Sequence, residues 1–310
     1  MNDSVVDNGS VNNKTDSMKR KKVSWSNKHV KGIVCILFAA VGFSFMTFFV
    51  RISGDLPTMQ KAFFRNAFAA VVAIVLLIKE GKGIHIAKGN RLDIFWRCAF
   101  GTSGLICNFY AIDHLGIADA NMLNKLSPFF AIIVSIPLLK EVPSKIDIVT
   151  TIIAFIGALF IIRPTGGAEA IPALLGLYGG FGAGTAYAFV RKLGKKGERT
   201  PIIVMCFSLF SCLVTGPFLI FDFHPMSLKQ FICLMLAGVG ASIGQFSITT
   251  AYKYAPAKEI SVFDYTQVIF AAMWGMLFLN EIPVALSILG YVIIIGMAVL
   301  RWYYNLHHLD

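Results

Sequence analysis

Three ionisable residues stand inside apolar stretches where charge is expensive: Arg65, Lys125 and Asp264. At the centre of a bilayer each costs at least about 2.5–3.5 kcal/mol on insertion scales. Counted from the starts of their stretches, they lie roughly 9–12 Å in at 1.5 Å per helical residue, nearing the middle of a core about 30 Å thick. A Lys or Arg holds a carboxylate and an Asp receives an ammonium through charge-assisted hydrogen bonds. A zwitterion therefore leaves fewer of these charges unpaired than a plain anion or cation does, and tyrosine faces suit an ammonium or an aromatic portion. Asp264 is also the candidate proton-coupling residue, because an acid at membrane depth costs least when neutral or paired. Two plainer readings stand beside these. Lys125 and Asp264 form a pair that only ties two helices together, or Arg65 snorkels to the surface. The candidate substrate-binding set is Lys125, Asp264, Arg65, Asn124, Tyr265, Asn108, Tyr110, Gln245 and Gln267, with Ser44, Tyr178 and Tyr187 as further polar groups. Any one of the uncharged members also serves as a helix-to-helix hydrogen bond.

Other chemistries lack their residues. No G-x-x-x-x-G-K-[ST] stands in the chain to drive a primary pump, and no H-E-x-x-H or G-x-S-x-G stands in it for hydrolysis. The six histidines fall in tails, loops or edges of apolar runs, and the six cysteines form no C-x-x-C pair. No metal, cofactor or disulfide framework is expected.

The elements that must position these residues are membrane helices. Of 310 residues, 56% are apolar and 15% charged, with mean hydropathy +0.69; an average soluble domain carries about 25% charged residues. Apolar runs cover about 32–50, 58–78, 94–112, 119–139, 146–163, 172–190, 201–221, 229–251, 258–279 and 283–301. Lipid satisfies no backbone amide, so these are predicted helices. Pro57 and Thr200-Pro201 provide first-turn prolines at two boundaries. The net charge of +11 reads as loop asymmetry rather than nucleic-acid binding. With the polar head inside, 21 of the 28 Lys and Arg residues lie on the cytoplasmic side. Only Arg51, Lys61, Arg163 and Lys229 lie outside, with Arg65, Arg97 and Lys125 within runs. That asymmetry puts both termini in the cytoplasm and requires an even number of spans. Residues 1–31, with Lys19-Arg20-Lys21-Lys22, read as a disordered basic tail rather than a signal peptide.

The halves match at an offset of 140 residues. Phe49-Val50-Arg51 recurs as Phe189-Val190-Arg191, Gly42 as Gly182, and Leu139-x-Glu141-x-Pro143 as Leu279-x-Glu281-x-Pro283. Asn124-Lys125 lies over Asp264-Tyr265, and Asp119 over Glu259. Five spans per half is an odd number, so the second half enters the membrane from the opposite side. Such inverted repeats build two alternating openings around one central site. Asp119 and Glu259 read as stabilisers of helix N-termini, and Glu141 and Glu281 as boundary or gate residues. Gly176, Gly179, Gly180, Gly182 and Gly184, like Gly101-x-x-Gly104 and Gly240-x-x-x-Gly244, read as tight packing or as a hinge or cavity wall.

On Phe64-Arg65-Asn66, on Leu126-Ser127-Pro128 through Leu139-Lys140-Glu141, and on Asp264-Tyr265-Thr266 through Asn280-Glu281-x-Pro283, residues 30–303 resemble the drug/metabolite transporter superfamily in its EamA-like branch. The resemblance implies an all-α integral membrane protein with ten transmembrane helices in two inverted five-helix repeats. The predicted organisation is 1–31 tail, 32–164 first repeat, 172–303 second repeat and 304–310 tail. In the spans that line the family's cavity, the polar residues above favour a wet pocket. The expected function is secondary active transport of a small organic metabolite, an amino acid or derivative, by alternating access. The alternatives are a lipid-acting membrane enzyme and a channel or scramblase. Expected partners are the small-molecule substrate, coupling protons and the lipid bilayer of a bacterial cytoplasmic membrane, with no nucleic acid.

Overall fold

The structure, a computed structural model, describes residues 27–140, 143–162, 170–255 and 257–307. The basic head up to residue 26, Glu141, Arg163 and the side chain of Glu259 lie outside the described residues.

Among the described residues every regular element is a helix. In chain order they are α1 (Asn27–Ile52), α2 (Thr58–Glu80), α3 (Arg91–His114), α4 (Ile117–Asn124), α5 (Ser127–Leu139) and α6 (Lys145–Ile162). The second half follows with α7 (Ala170–Lys195), α8 (Thr200–Phe221), α9 (Leu228–Tyr254), α10 (Ala257–Asp264), α11 (Thr266–Phe278) and α12 (Ala285–His307). Among the described residues eight segments are long and apolar enough to cross a membrane, counting α4 and α5 as one. The two other predicted spans differ for identifiable reasons. α3 has the length but carries Arg91, Asp93 and Arg97 in its first two turns, and Val262–Phe278 is shorter.

Among the described residues twelve helices stand where ten spans were expected, because the fourth and ninth apolar runs are each broken about a third of the way along. At Lys125-Leu126 the chain tightens, with Leu126 N–H donating to Leu123 O and Phe129 N–H to Leu126 O. Pro128 has no N–H to return to Asn124, so the regular ladder cannot continue. At Tyr265 the same tightening pairs Tyr265 N–H with Val262 O and Val268 N–H with Tyr265 O. Each is a short 3₁₀-type turn inside a membrane-length segment.

The outer surface is apolar, with Leu213, Ile220 and Phe221 exposed as lipid contacts require, while Arg65, Arg97, Lys125, Asp264, Gln245 and Gln267 are buried. α1 packs on α9 and α3 on α7; α2 packs on α8, α6 on α12, α5 on α7 and α11 on α1. Exchanging each helix of the first half with its counterpart in the second carries this pattern onto itself. Glycine permits two close approaches of helix to helix. A Cβ on Gly42 would lie 2.7 Å from Gly244 N, and one on Gly182 would lie 2.7 Å from Gly104 Cα. These are the same contact in the two halves, since Gly182 and Gly244 sit 140 residues after Gly42 and Gly104.

Candidate functional site

The two helix breaks meet. Lys125 Nζ stands 2.6 Å from Asp264 Oδ2, and the Tyr265 hydroxyl donates to Lys125 O at 2.9 Å. Lys125 and Asp264 are both shut off from solvent. Gln267 Nε2 donates to Asn121 Oδ1 at 2.5 Å beside them. The first break positions this cluster because Phe129 N–H turns to Leu126 O, leaving Lys125 O to accept from Tyr265. α7 makes room for the first break. A Cβ on Gly180 would lie 2.6 Å from Leu123 O, and one on Gly184 would clash with Ser127 O.

Next to this cluster is a cavity of about 60 Å³. Its polar walls come from Arg65 on α2, Arg97 and Asn108 on α3, Asn124 and Lys125 at the first break, and Tyr187, Gln245 and Gln267 on α7, α9 and α11. Arg65 is fully buried and bonds its neighbour Asn66, so it does not snorkel. Tyr187 stacks on Tyr252 with centroids 4.9 Å apart. Asp264 and Tyr265 sit behind the wall, reached through Lys125. Of the expected substrate set only Tyr110 is elsewhere. Two residues beyond Asn108 it has turned about 200° around the helix, and it stacks on His114 instead. Tyr178 is exposed and Ser44 bonds within its own helix.

Arg97 is the wall residue that sequence reasoning left out. It is as buried as Arg65, and its Nη2 donates to Gln245 Oε1 at 3.2 Å. Its signal was the spacing Arg97, Gly101, Gly104, which puts a long cation and two missing side chains on one helix face. Phe207 and Met46 complete the wall between Arg65 and Arg97.

Ion pairs close both ends of the bundle. At one end Arg51 grips Glu281 at 2.7 Å and donates to Ile112 O and Asp113 O, while Lys61 pairs with Asp113 at 2.6 Å. Glu281 also accepts from Ile117 N–H, so it joins α1 to the start of α4. Lys61, counted above as a loop charge, is a buried residue in the first turn of α2. At the other end Asp93 takes both Lys192 and Lys196, and Glu198 accepts from Asn90 and Ala87. Arg301, one of the 21 charges placed on the cytoplasmic side, is buried near the end of α12 with its guanidinium 4.8 Å from the Phe129 ring. Asp119 accepts from the Tyr291 hydroxyl as well as opening α4.

The model of the EamA-like transporter family matches this chain twice, over residues 30–163 and 170–302. The chain belongs to the EamA-like transporter family. It is a multi-pass membrane transporter of small molecules rather than an enzyme. It is 32% identical over 267 residues to the pseudopaline exporter CntI of Pseudomonas aeruginosa, covering 85% of this chain and 93% of that protein. It is 26% identical to human solute carrier family 35 member G1 over 88% of this chain and 80% of that one. A crystal structure with 13% identity superposes with a TM-score of 0.64 over 92% of this chain and 98% of its own, and supports the fold alone. The two family matches meet between the sixth and seventh helices, so the break at Lys125 belongs to one copy and the break at Tyr265 to the other.

Proposed function

We propose that this EamA-like chain is a secondary transporter that moves an amino acid or amino-acid derivative by alternating access around the central cavity. The reading includes ten spans in two inverted repeats, with α4–α5 and α10–α11 each one broken span and both termini cytoplasmic in a bacterial inner membrane. The observation that carries it is the Lys125–Asp264 pair, one residue from each repeat's helix break, beside a cavity lined from both repeats. Broken helices at equivalent positions are where transporters of this design hold their substrates. The pair also supplies a cation and an acid that a zwitterion and a proton can engage in turn.

The test is counterflow of labelled amino acids in vesicles holding the purified chain, with and without a pH gradient. Saturable exchange is expected, driven by the gradient. Asp264→Asn is expected to keep exchange and lose the dependence on the gradient. Non-saturable flux without trans-stimulation would mean a channel or scramblase, and full proton-driven uptake by Asp264→Asn would remove the coupling role.

A further inference from the structure

Arg65 and Arg97 face one aromatic ring. Their guanidinium carbons stand 5.9 and 4.3 Å from the centroid of Phe207. Both are buried and both line the cavity. Their partners are neutral: Met46 Sδ and Asn66 Oδ1 for Arg65, Gln245 Oε1 for Arg97. Arg65 Nη2 and Arg97 Nε have no hydrogen-bond partner among the described residues. No carboxylate of the described residues pairs with either guanidinium, and Asp264, behind the cavity wall, is held by Lys125. A guanidinium does not shed its proton to escape burial, and a buried charge without a counter-charge is costly. The space in front of Arg97 is kept clear. A Cβ on Gly101, one turn on, would clash with Arg97 Nη1 and lie 3.0 Å from Phe207.

We infer that Arg65 and Arg97 form a carboxylate subsite, and that the substrate is an amino acid or derivative of net negative charge. This deepens the proposed function and rests on the cavity being its substrate site. Lys125 and Asp264 neutralise each other, so a neutral zwitterion leaves the wall with two uncompensated cations. A ligand with more carboxylates than ammonium groups compensates them. The planar guanidinium fork matches a planar carboxylate with two parallel hydrogen bonds. Phe207 keeps both forks at the cavity wall by cation–π attraction.

The experiment follows thermal unfolding of the purified full chain in detergent, at matched ionic strength, with glutarate, L-glutamate, L-leucine, putrescine or inorganic phosphate. Glutarate and glutamate are expected to raise Tm by at least about 2 °C through mass action, and the other three are expected to leave it in place. Arg97→Gln is expected to weaken the glutarate effect at least about tenfold, the range of a lost charged hydrogen bond. Arg97→Lys keeps the charge and loses the fork, so it tests the same point if Arg97→Gln fails to fold; a several-fold weakening is expected. Absence of a shift with both acids overturns the inference. So does a larger shift with leucine, putrescine or phosphate, or a glutarate shift unchanged in Arg97→Lys and Gly101→Ala. Counterflow in vesicles separates the two readings. Glutarate binding without exchange of any acid removes the transport reading and leaves the subsite. Leucine exchange without glutarate binding removes the subsite and leaves transport.

Discussion

Removing one member of the Lys125–Asp264 pair strands the other in a place without water, because both side chains are buried and 2.6 Å apart. Breaking a buried pair costs about 3–5 kcal/mol, whereas replacing both members by apolar residues is often neutral. Lys125→Met and Asp264→Leu are therefore each expected to lower the unfolding midpoint, and the double variant to recover most of the loss. Single variants that unfold with the parent would mean that the pair carries no such energy in this fold. The rule that charge is expensive in an apolar run was enough to single out Arg65, Lys125 and Asp264 from the residues alone. It passed over Arg97, which lies near the start of its run and so resembled an edge charge. In fact α3 starts earlier, at Arg91, and carries Arg97 inward to Gln245. Tyr110 failed for a different reason. Residue type identified it as polar at membrane depth, but only the helical phase tells which face it takes, and that face meets His114.

At the scale of the element, apolar run length placed most helix ends within about three residues, since lipid forces complete backbone hydrogen bonding within a segment. The breaks were less legible. Pro128 marks the first, but Tyr265 has no proline near it, and its turn is set by packing against Lys125 O. Glycine on α7 is what lets the first break sit where it does. A methyl on Gly180 would lie 2.6 Å from a backbone oxygen, which no rotamer change relieves. Gly180→Ala is expected to cost about 1–3 kcal/mol, the usual penalty for overpacking, and to weaken ligand binding by shifting Lys125. Gly296→Ala on α12 is the control, because nothing lies within 4 Å of its Cβ position. Thermal unfolding of the two variants decides it: if Gly180→Ala melts with Gly296→Ala, the close approach does not hold the break in place.

For the molecule as a whole, the packing pattern maps onto itself when the halves are exchanged, and Arg191, 140 residues after Arg51, donates to Tyr252 O as Arg51 donates to Ile112 O. One end is closed by Arg51 with Glu281 and Lys61 with Asp113, the other by Asp93 with Lys192 and Lys196. The cavity lies between them, and in the alternating access proposed above a ligand leaves when one set parts. Beyond the first set, a hollow of about 620 Å³ is lined by Arg51, Lys61, Asp113, His114, Asp222 and His224. Arg51 lines this hollow and holds Glu281, which also accepts from Ile117 N–H at the start of α4. The pair is partly exposed, 28% and 20% at the side chains, so its net worth is about 1 kcal/mol. An energy of that size shifts a two-state equilibrium by roughly fivefold. Glu281→Gln is therefore expected to raise, by a few fold, the labelling of Leu105→Cys by an impermeant thiol reagent in a background freed of native cysteines. The rise is expected from the face that carries residues 53–57 and not from the face that carries residues 196–199. The exchanged pair Arg51→Glu with Glu281→Arg is expected to bring labelling back toward the parent. Equal labelling from both faces, or a rise at the opposite face, would show that the Arg51–Glu281 contact ties helices together without controlling access to the cavity.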